Sequence, residues 1–108
     1  MYTYNAKIIK VYDGDTVTAL VDLGFKISFE MKLRLNRINA PEIRGIEKEK
    51  GKITRDRLRE LILDKTVVIK TNKDKTGKYG RYIADIYLGE ISINDLLVTE
   101  NLAIYKSY

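Results

Sequence analysis

The chain has 108 residues, of which 44% are hydrophobic and 32% are charged, and its formal net charge is +5. This length provides one compact core and no room for a second, so we expect a single domain over residues 1–108. The absence of cysteine and histidine excludes disulfides, thiolate nucleophiles, imidazole bases and ordinary zinc sites. Any chemistry must therefore rest on carboxylates, Arg, Lys, Tyr and a cation bound by oxygen atoms.

The first half of the chain predicts three consecutive strands. The Asp13-Gly14 pair is a strong hairpin signal between the first two strands. The third segment alternates strictly between apolar and polar residues, which predicts a strand with one face in the core and the other in solvent. The expected strands are Thr3–Val11, Asp15–Val21 and Phe25–Leu35.

After Pro41 the hydrophobic period changes from that of a strand to that of a helix. Residues 46–63 place an apolar stripe among charged residues, although Gly51 weakens the first part of this prediction. The expected stripe consists of Ile46, Ile53, Leu58, Leu61 and Ile62.

The last third predicts two further strands and a second helix. A polar, lysine-rich connection over residues 72–80 separates the two strands, which are expected at residues 66–71 and 81–88. Ser92 and Asp95 form a capping box that begins a helix over residues 93–100, and Asn101 is suited to end it.

This order of elements predicts an α+β, mainly β fold. Three sequential antiparallel strands expose edges that a helix and two more strands can close into a small barrel. An OB-fold-like barrel has five strands with a helix between the third and the fourth. We therefore expect a five-stranded OB-like barrel with two packed helices.

The first cluster that could take part in binding or catalysis is Asp13-Gly14-Asp15-Thr16. Two carboxylates one residue apart in a turn are typical of a site for a hard cation. An ordinary hairpin turn, in which Asp is a common turn former, explains the same residues.

A second cluster lies at the end of the third strand. Arg34 is on its polar face, and Asn39-Ala40-Pro41-Glu42 follow in the next loop. An arginine can bind a phosphate through two nitrogens, and a nearby carboxylate can orient or deprotonate a water. A surface ion pair between Arg34 and Glu42 is the simpler interpretation.

A third cluster is Lys78-Tyr79-Gly80-Arg81. An aromatic ring among cations can stack on a base while the charges bind phosphate, although a solvated turn has the same composition. Tyr105 and Tyr108 offer further stacking surface, but aromatic residues there can equally pack a helix end onto the barrel.

Together these clusters resemble the staphylococcal nuclease family in order and spacing. The resemblance covers nearly the whole chain, which looks shorter at its C-terminal end than the family's type member. The matching segments are VYDGDTV at 11–17, LRLNRINAPE at 33–42, KYGRYIADIY at 78–87 and INDLLVTENLA at 93–103.

The resemblance implies a role for each matched residue. Arg34, Glu42 and Arg81 would be catalytic, the arginines binding phosphate and Glu42 orienting the attacking water. One Ca²⁺ would be held by the set Asp15, Asp13, Asn39 and the carbonyl of Ala40. The nucleotide would be bound by Lys78, Tyr79 and Tyr105.

Two of these positions depart from the family pattern. Asn39 stands where the type member has an aspartate, so the site loses one negative charge and its calcium affinity is expected to fall. Ala40 replaces a threonine and leaves only the main-chain oxygen as a ligand. The sequence therefore predicts weaker activity, a higher calcium requirement or a different divalent ion.

The resemblance implies a calcium-dependent endonuclease that hydrolyses the phosphodiester bonds of DNA or RNA. It would prefer single strands and leave 3′-phosphate ends. We expect a monomer that does not bind membranes. The chain lacks a basic start followed by a long apolar segment, so we expect it to remain in the cytoplasm. The alternatives are an OB-fold nucleic-acid-binding domain with a degraded metal site, and a protein-interaction module with an aromatic groove.

Overall fold

The structure, a computed structural model, describes residues 2–76 and 81–106, with the backbone alone for residues 72–76. Within these ranges the chain forms eight strands, two α-helices and one short 3₁₀ helix at Gly45–Glu47. The first half contains β1 (Tyr2–Asp13), β2 (Thr16–Asp22), β3 (Ser28–Leu35), β4 (Ile38–Asn39) and α1 (Lys48–Ile62). The second half contains β5 (Thr66–Thr76), β6 (Tyr82–Leu88), β7 (Ile91–Ser92), α2 (Ile93–Thr99) and β8 (Ile104–Tyr105).

Five strands close into a barrel. The hydrogen-bonded order is β3-β2-β1-β5-β6, and an additional pairing between β3 and β6 joins the two ends. This closing pair is parallel and matches Leu33 with Tyr82, Arg34 with Ile83 and Leu35 with Ala84. The mainly β, OB-like barrel with two helices is therefore confirmed.

The core fills the barrel and the space under the helices. Alternate residues of the long strands point inward, as the period of a strand requires. Leu58 and Ile62 of α1 and Ile93 and Leu97 of α2 are completely buried. The fully buried strand residues include Ile8, Val11, Val17, Leu33, Leu35, Ile38, Ile69 and Ile86.

The predicted third strand is wrong in its first half. Phe25 is 96% exposed, and Ile27 and Phe29 are also exposed. Phe25 and Lys26 have positive φ angles of 52° and 62°, so they belong to the β2–β3 turn rather than to the strand. The alternating pattern identifies the apolar face, but nothing in the described residues covers that face at the hairpin tip.

The apolar stripe of the first helix is also only partly correct. Leu58 and Ile62 are buried, whereas Ile46 and Ile53 are exposed. Ile46 lies in the 3₁₀ turn before α1, so it does not continue the helical stripe. The helix begins at Lys48 and ends at Ile62, close to the predicted limits.

The second helix follows its prediction closely. The hydroxyl oxygen of Ser92 accepts a hydrogen bond from the backbone nitrogen of Asp95 at 3.2 Å, as expected for an N-cap. Asn101 has a φ of 62°, the left-handed conformation predicted after the helix. Within the described ranges no helix is long and apolar enough to cross a membrane.

Candidate active site

The barrel architecture brings Asp15 and Arg34 into direct contact. Asp15 follows the β1–β2 turn, and Arg34 lies beside it because Thr16 is the cross-strand partner of Arg34. The Arg34 Nη2 atom is 3.2 Å from the Asp15 Oδ2 atom. Both residues are buried, with exposures of 7% for Asp15 and 8% for Arg34, so this ion pair is shielded from solvent.

The loop after β4 completes the same cluster. The backbone nitrogen of Ala40 donates a hydrogen bond of 2.9 Å to Asp15 Oδ2. The Asn39 Oδ1 atom accepts from Arg34 Nη2 at 3.3 Å. Of the two residues that the sequence predicts as ligands, Ala40 contacts the Asp15 carboxylate through its backbone nitrogen, and Asn39 contacts Arg34.

Arg81 reaches the cluster from the start of β6. Its Nη1 atom donates to the hydroxyl oxygen of Thr16 at 3.1 Å, and that hydroxyl donates to Asp15 Oδ1 at 3.3 Å. The two arginines therefore approach opposite oxygens of one carboxylate, Arg34 directly and Arg81 through Thr16. Thr16 is a member of the site that the sequence interpretation did not assign; its place in the Asp-Gly-Asp-Thr turn is the available signal.

A charged carboxylate is disfavoured at this position. The pKa of Asp15 is raised from 3.8 to about 6, chiefly by burial and secondly by the nearby charge of Asp13. The hydrogen bond from Ala40 and the charge of Arg34 act in the opposite direction but do not compensate fully. Additional positive charge would therefore be favourable here.

Asp13 is turned toward the backbone of the turn. Its Oδ1 atom accepts a hydrogen bond from the Asp15 nitrogen at 3.1 Å. This is the Asx-type arrangement expected of a turn-forming aspartate. The same contact keeps the second carboxylate next to the first, so the turn and the cation interpretations are compatible.

The oxygen atoms of this cluster are of the chemical type that a hard cation binds. Among the side chains that the structure describes, no group of three acidic residues is placed to bind a metal ion. The candidate oxygens are the carboxylates of Asp15 and Asp13, the amide of Asn39 and main-chain carbonyls; in this structure Arg34 Nη2 contacts both Asp15 Oδ2 and Asn39 Oδ1. Ca²⁺ accepts carboxylate, amide and carbonyl oxygens together with water. These oxygens are therefore of a type that fits calcium, although the ligand set has less negative charge because Asn39 is neutral.

The backbone of Glu42 is held against the 3₁₀ turn and α1, and in the described ranges no hydrogen bond or ion pair joins this residue to Asp15 or to either arginine of the cluster. Its nitrogen donates to Glu47 Oε2 at 3.3 Å, and its carbonyl lies over Gly51 of α1, where an added Cβ would be only 2.0 Å from that oxygen. The Glu42 side chain is exposed. Its carboxylate makes no ion pair or hydrogen bond with any residue in the described ranges, so the predicted Arg34–Glu42 surface pair is not observed.

Gly14 allows three parts of the site to approach one another. A Cβ at this position would be 2.4 Å from Thr54 Cγ2 and 2.7 Å from Ala40 Cβ. The glycine of the turn therefore permits α1 and the loop after β4 to pack against the Asp13–Asp15 turn. The hydrogen bond between Thr54 and the Leu102 carbonyl, at 2.7 Å, ties α1 to the C-terminal segment as well.

The predicted nucleotide-binding residues are not brought together in the described part. Lys78 and Tyr79 lie outside the described residues. Tyr105 is on β8, where its hydroxyl donates to Asp95 Oδ1 at 3.0 Å. This hydrogen bond raises the pKa of the Tyr105 phenol, and the side chain is directed to the start of α2 rather than to Asp15.

Two open cavities flank the Asp15 cluster. One, of about 240 Å³, is lined by Asn39, Ala40, Pro41, Glu47, Lys50 and residues 101–104. The other, of about 220 Å³, is lined by Lys10, Tyr12, Thr16, Thr18, Lys32 and Arg81. The buried Asp15–Arg34 pair lines neither cavity; the cavities border the cluster at Asn39 and Ala40 on one side and at Thr16 and Arg81 on the basic side.

Comparison with known proteins identifies the family of the chain. A family model described as staphylococcal nuclease homologue matches residues 32–108. The chain is 30% identical over 105 residues to a thermonuclease from Staphylococcus hyicus, and 34% identical over 104 residues to a protein of Haemophilus influenzae described as an uncharacterized endonuclease.

Each alignment covers 94% of this chain but only part of the relative, 59% of the Staphylococcus hyicus protein and 53% of the Haemophilus influenzae protein. The chain thus spans little more than half the length of these relatives. The family match nevertheless extends over most of the chain, from the end of β3 through α2, and the resemblance noted in the sequence is confirmed. The chain belongs to the staphylococcal nuclease homologue family.

Proposed function

We propose that the protein is a calcium-dependent nuclease that hydrolyses phosphodiester bonds of DNA or RNA with low sequence specificity and leaves 3′-phosphate ends. The observation that carries the proposal is the convergence of Arg34, Arg81 and the loop after β4 on the buried Asp15 carboxylate. Family membership, and the descriptions of the two relatives as a thermonuclease and an endonuclease, support the same assignment.

In this proposal the arginines bind the reacting phosphate. A phosphodiester gains negative charge in its transition state, and two guanidinium groups beside it stabilise that charge more strongly than the charge of the substrate. Arg34 is fixed by Asp15 and by the Leu35 carbonyl, which accepts from its Nη1 atom at 3.0 Å. A buried arginine that is already oriented loses little freedom when it binds phosphate.

Glu42 is proposed to orient the attacking water. Its carboxylate is exposed and unpaired within the described ranges, which leaves its oxygens available to accept a hydrogen bond. The main chain at Glu42 is fixed by Glu47 and by the close approach to Gly51. A defined backbone with an available carboxylate is the arrangement expected of a residue that positions water.

One Ca²⁺ is proposed to be held by Asp15, Asp13, Asn39 and the Ala40 carbonyl. When bound, the ion would neutralise phosphate charge and act as a Lewis acid. The uncompensated burial of Asp15 supports this choice, because an adjacent cation favours the charged carboxylate. With Asn39 in place of a carboxylate, we expect a high calcium requirement.

The test is cleavage of fluorescently labelled single-stranded DNA and RNA by the purified protein, with calcium and with a chelator. We expect calcium-dependent cleavage that falls by a factor of about 100 or more in Glu42→Gln, since general-base assistance is typically worth about 10²–10⁴. Glu49→Gln, an exposed glutamate in the first turn of α1, is the matched control and retains full activity.

Each other result would reject a different part of the proposal. Salt-sensitive binding without cleavage would identify a nucleic-acid-binding barrel. Cleavage that persists unchanged in chelator would reject the role of calcium. Cleavage lost equally in Glu42→Gln and Glu49→Gln would reject the specific role of Glu42.

A further inference from the structure

The basic cavity on the outer face of the barrel extends away from the Asp15 cluster. We name it the outer-face groove; it is lined by Lys10, Tyr12, Thr16, Thr18, Lys32 and Arg81 and has a volume of about 220 Å³. None of its residues except Thr16 and Arg81 contacts the cluster described above. It is thus a second surface that shares one end with the candidate active site.

Strand register places the two lysines on either side of one threonine. Thr18 of β2 is the cross-strand partner of Lys10 on β1 and of Lys32 on β3. Adjacent strands are about 4.8 Å apart, so the lysine main chains are about 10 Å apart. Both lysine side chains are exposed, and neither forms an ion pair within the part of the chain that the structure describes.

Tyr12 provides an aromatic surface in the same groove. It lies at an irregularity of the β1–β2 pairing between Val11 and Asp13, and 44% of its surface is exposed. Its hydroxyl accepts a hydrogen bond from Arg44 Nη2 at 3.2 Å. The ring is thus restrained at its far end, and a further cation lies beside it.

The groove is continuous with the candidate site through Thr16. Thr16 contacts both Arg81 and Asp15, and Thr18 is the next residue of β2 on the same face. Two residues along a strand span about 7 Å, which is comparable to one extended nucleotide. A strand whose phosphate lies at Arg81 would therefore place its neighbouring nucleotide over Thr18.

We propose that the outer-face groove binds the segment of a single-stranded nucleic acid that flanks the cleaved bond. Lys10 and Lys32 contact its phosphates, and Tyr12 stacks on an unpaired base. This inference rests on the proposed nuclease function, and it assigns the path of the substrate outside the reacting phosphate.

The chemistry of the groove favours this occupant. Lysines on both sides of a hydroxyl suit the negative charge of a phosphodiester backbone, and base-aromatic stacking accepts any base. A duplex keeps its bases stacked inside and offers none to Tyr12. A membrane surface would require an exposed apolar face beside the cations, whereas Thr16 and Thr18 occupy the centre of this groove.

The first test is the affinity for fluorescein-labelled octathymidylate, measured by anisotropy in chelator so that no cleavage occurs. We expect Lys10→Gln/Lys32→Gln to weaken binding about tenfold at low salt and to reduce the slope of log K against log salt by about 1.4, because each single-strand phosphate contact contributes about 0.7. The control Lys26→Gln/Lys65→Gln removes two exposed lysines that lie outside the groove. We expect it to change the affinity less than about twofold, because these lysines act on the oligonucleotide only through long-range electrostatic attraction.

The second test separates stacking from charge. We expect Tyr12→Leu to weaken octathymidylate binding about fivefold or more, from the usual stacking contribution per base. Tyr12→Phe keeps the ring and loses only the contact with Arg44, so it retains most of the affinity. Equal losses in Tyr12→Leu and Tyr12→Phe would overturn the stacking role.

Three results would overturn the groove as a whole. They are unchanged binding in Lys10→Gln/Lys32→Gln, equal losses in both lysine pairs, and lysine-dependent binding to phosphatidylserine vesicles with unchanged binding to octathymidylate. If circular dichroism shows that the lysine variant is unfolded, Thr18→Glu replaces it, with Thr3→Glu on the exposed start of β1 as its control. Thr18→Glu must then weaken binding, and affinity equal to that of Thr3→Glu overturns the groove.

The groove and the nuclease can fail independently. Lysine-dependent binding by a protein that never cleaves, with or without calcium, supports the groove and rejects the proposed function. Calcium-dependent cleavage together with binding that is indifferent to Lys10 and Lys32 supports the function and rejects the groove.

Discussion

At the scale of one residue, the ionised carboxylate of Asp15 is unfavourable for stability but is the form that cation binding would require. Burial and the neighbouring Asp13 raise the pKa of its carboxyl to about 6, so the ionised form destabilises the fold. The same ionised form is the one that would bind a cation and orient Arg34. The residue is therefore placed for function at some expense of stability, as is common in active sites.

This gives a pH-dependent prediction for Asp15→Asn. Because the folded-state pKa lies above the unfolded value of about 3.9, the contribution of Asp15 to stability is fully present below pH 4 and is lost as the pH rises through 6. A shift of about two units corresponds to about 3 kcal/mol, and the gain in the variant is smaller because an amide has one acceptor oxygen where the carboxyl accepts hydrogen bonds at both oxygens. In chelator we expect Asp15→Asn to be about 1–2 kcal/mol more stable than the wild type at pH 7.5 and equally stable at pH 4.

Urea denaturation at the two pH values measures this difference. Asp22→Asn is the control, because Asp22 is exposed and its Oδ1 accepts only the Gly24 nitrogen, a contact that an amide oxygen can reproduce. A variant at Asp15 that is less stable than the wild type at pH 7.5 would contradict the prediction.

At the scale of elements, the packing of α1 against the loop after β4 depends on Gly51. A glycine inside a helix reduces helix stability by about 1 kcal/mol relative to alanine. Here an added Cβ would meet the Glu42 carbonyl oxygen at 2.0 Å and the Ile43 nitrogen at 2.8 Å. Both contacts are with backbone atoms, so the loop itself would have to move.

We expect Gly51→Ala to be destabilised despite its better helix propensity. Overpacking against backbone typically costs about 1–3 kcal/mol, more than the propensity gain. Under the proposed function the displaced Glu42 also lowers kcat, while KM changes little. Thermal melting and cleavage kinetics test both effects, with the exposed Ile53→Ala in the same helix as the control for propensity; a Gly51→Ala protein as active and as stable as Ile53→Ala would refute the packing argument.

The elements were more predictable from sequence than their environments. The strand period over Ser28–Leu35 and the cap of α2 are local properties, and the sequence predicts both correctly, although it begins β3 three residues too early. Whether an apolar face is covered depends on distant segments, so the exposure of Phe25 and Ile53 did not follow from their periodicity. The sequence likewise indicated Asp15 and Arg34, but not Thr16 or Lys32, because their proximity depends on cross-strand register.

At the scale of the whole molecule, Asn94 holds the closed barrel together. It is completely buried. Its Oδ1 accepts from the Ile86 nitrogen at 3.0 Å, and its Nδ2 donates to the carbonyls of Asn36 and Ala84 at 2.9 and 3.2 Å. One side chain on α2 thus joins β6 to the turn that follows β3, beside the pairing that closes the barrel.

We expect Asn94→Ala to lower the free energy of unfolding by about 2–4 kcal/mol, since buried groups that lose a partner each cost about 1–3 kcal/mol. Asn94→Asp keeps the shape but brings a charge into the interior and is expected to be at least as destabilised at neutral pH. Chemical denaturation measures both, with the exposed Asn5→Ala on β1 as the control. A loss below 0.5 kcal/mol, the range of ordinary surface substitutions, would show that other contacts hold this junction.

The parallel pairing of β3 with β6 determines when, during synthesis, Arg34 and Arg81 can come together. Arg34 lies on β3, and Arg81 immediately precedes β6. Neither half of the polypeptide alone therefore contains both of the arginines that are proposed to bind phosphate. During synthesis the two arginines cannot come together until β6 has left the ribosome and paired with β3. A nascent chain on the ribosome, surrounded by RNA, is thereby kept from acting as the proposed enzyme until its fold is closed.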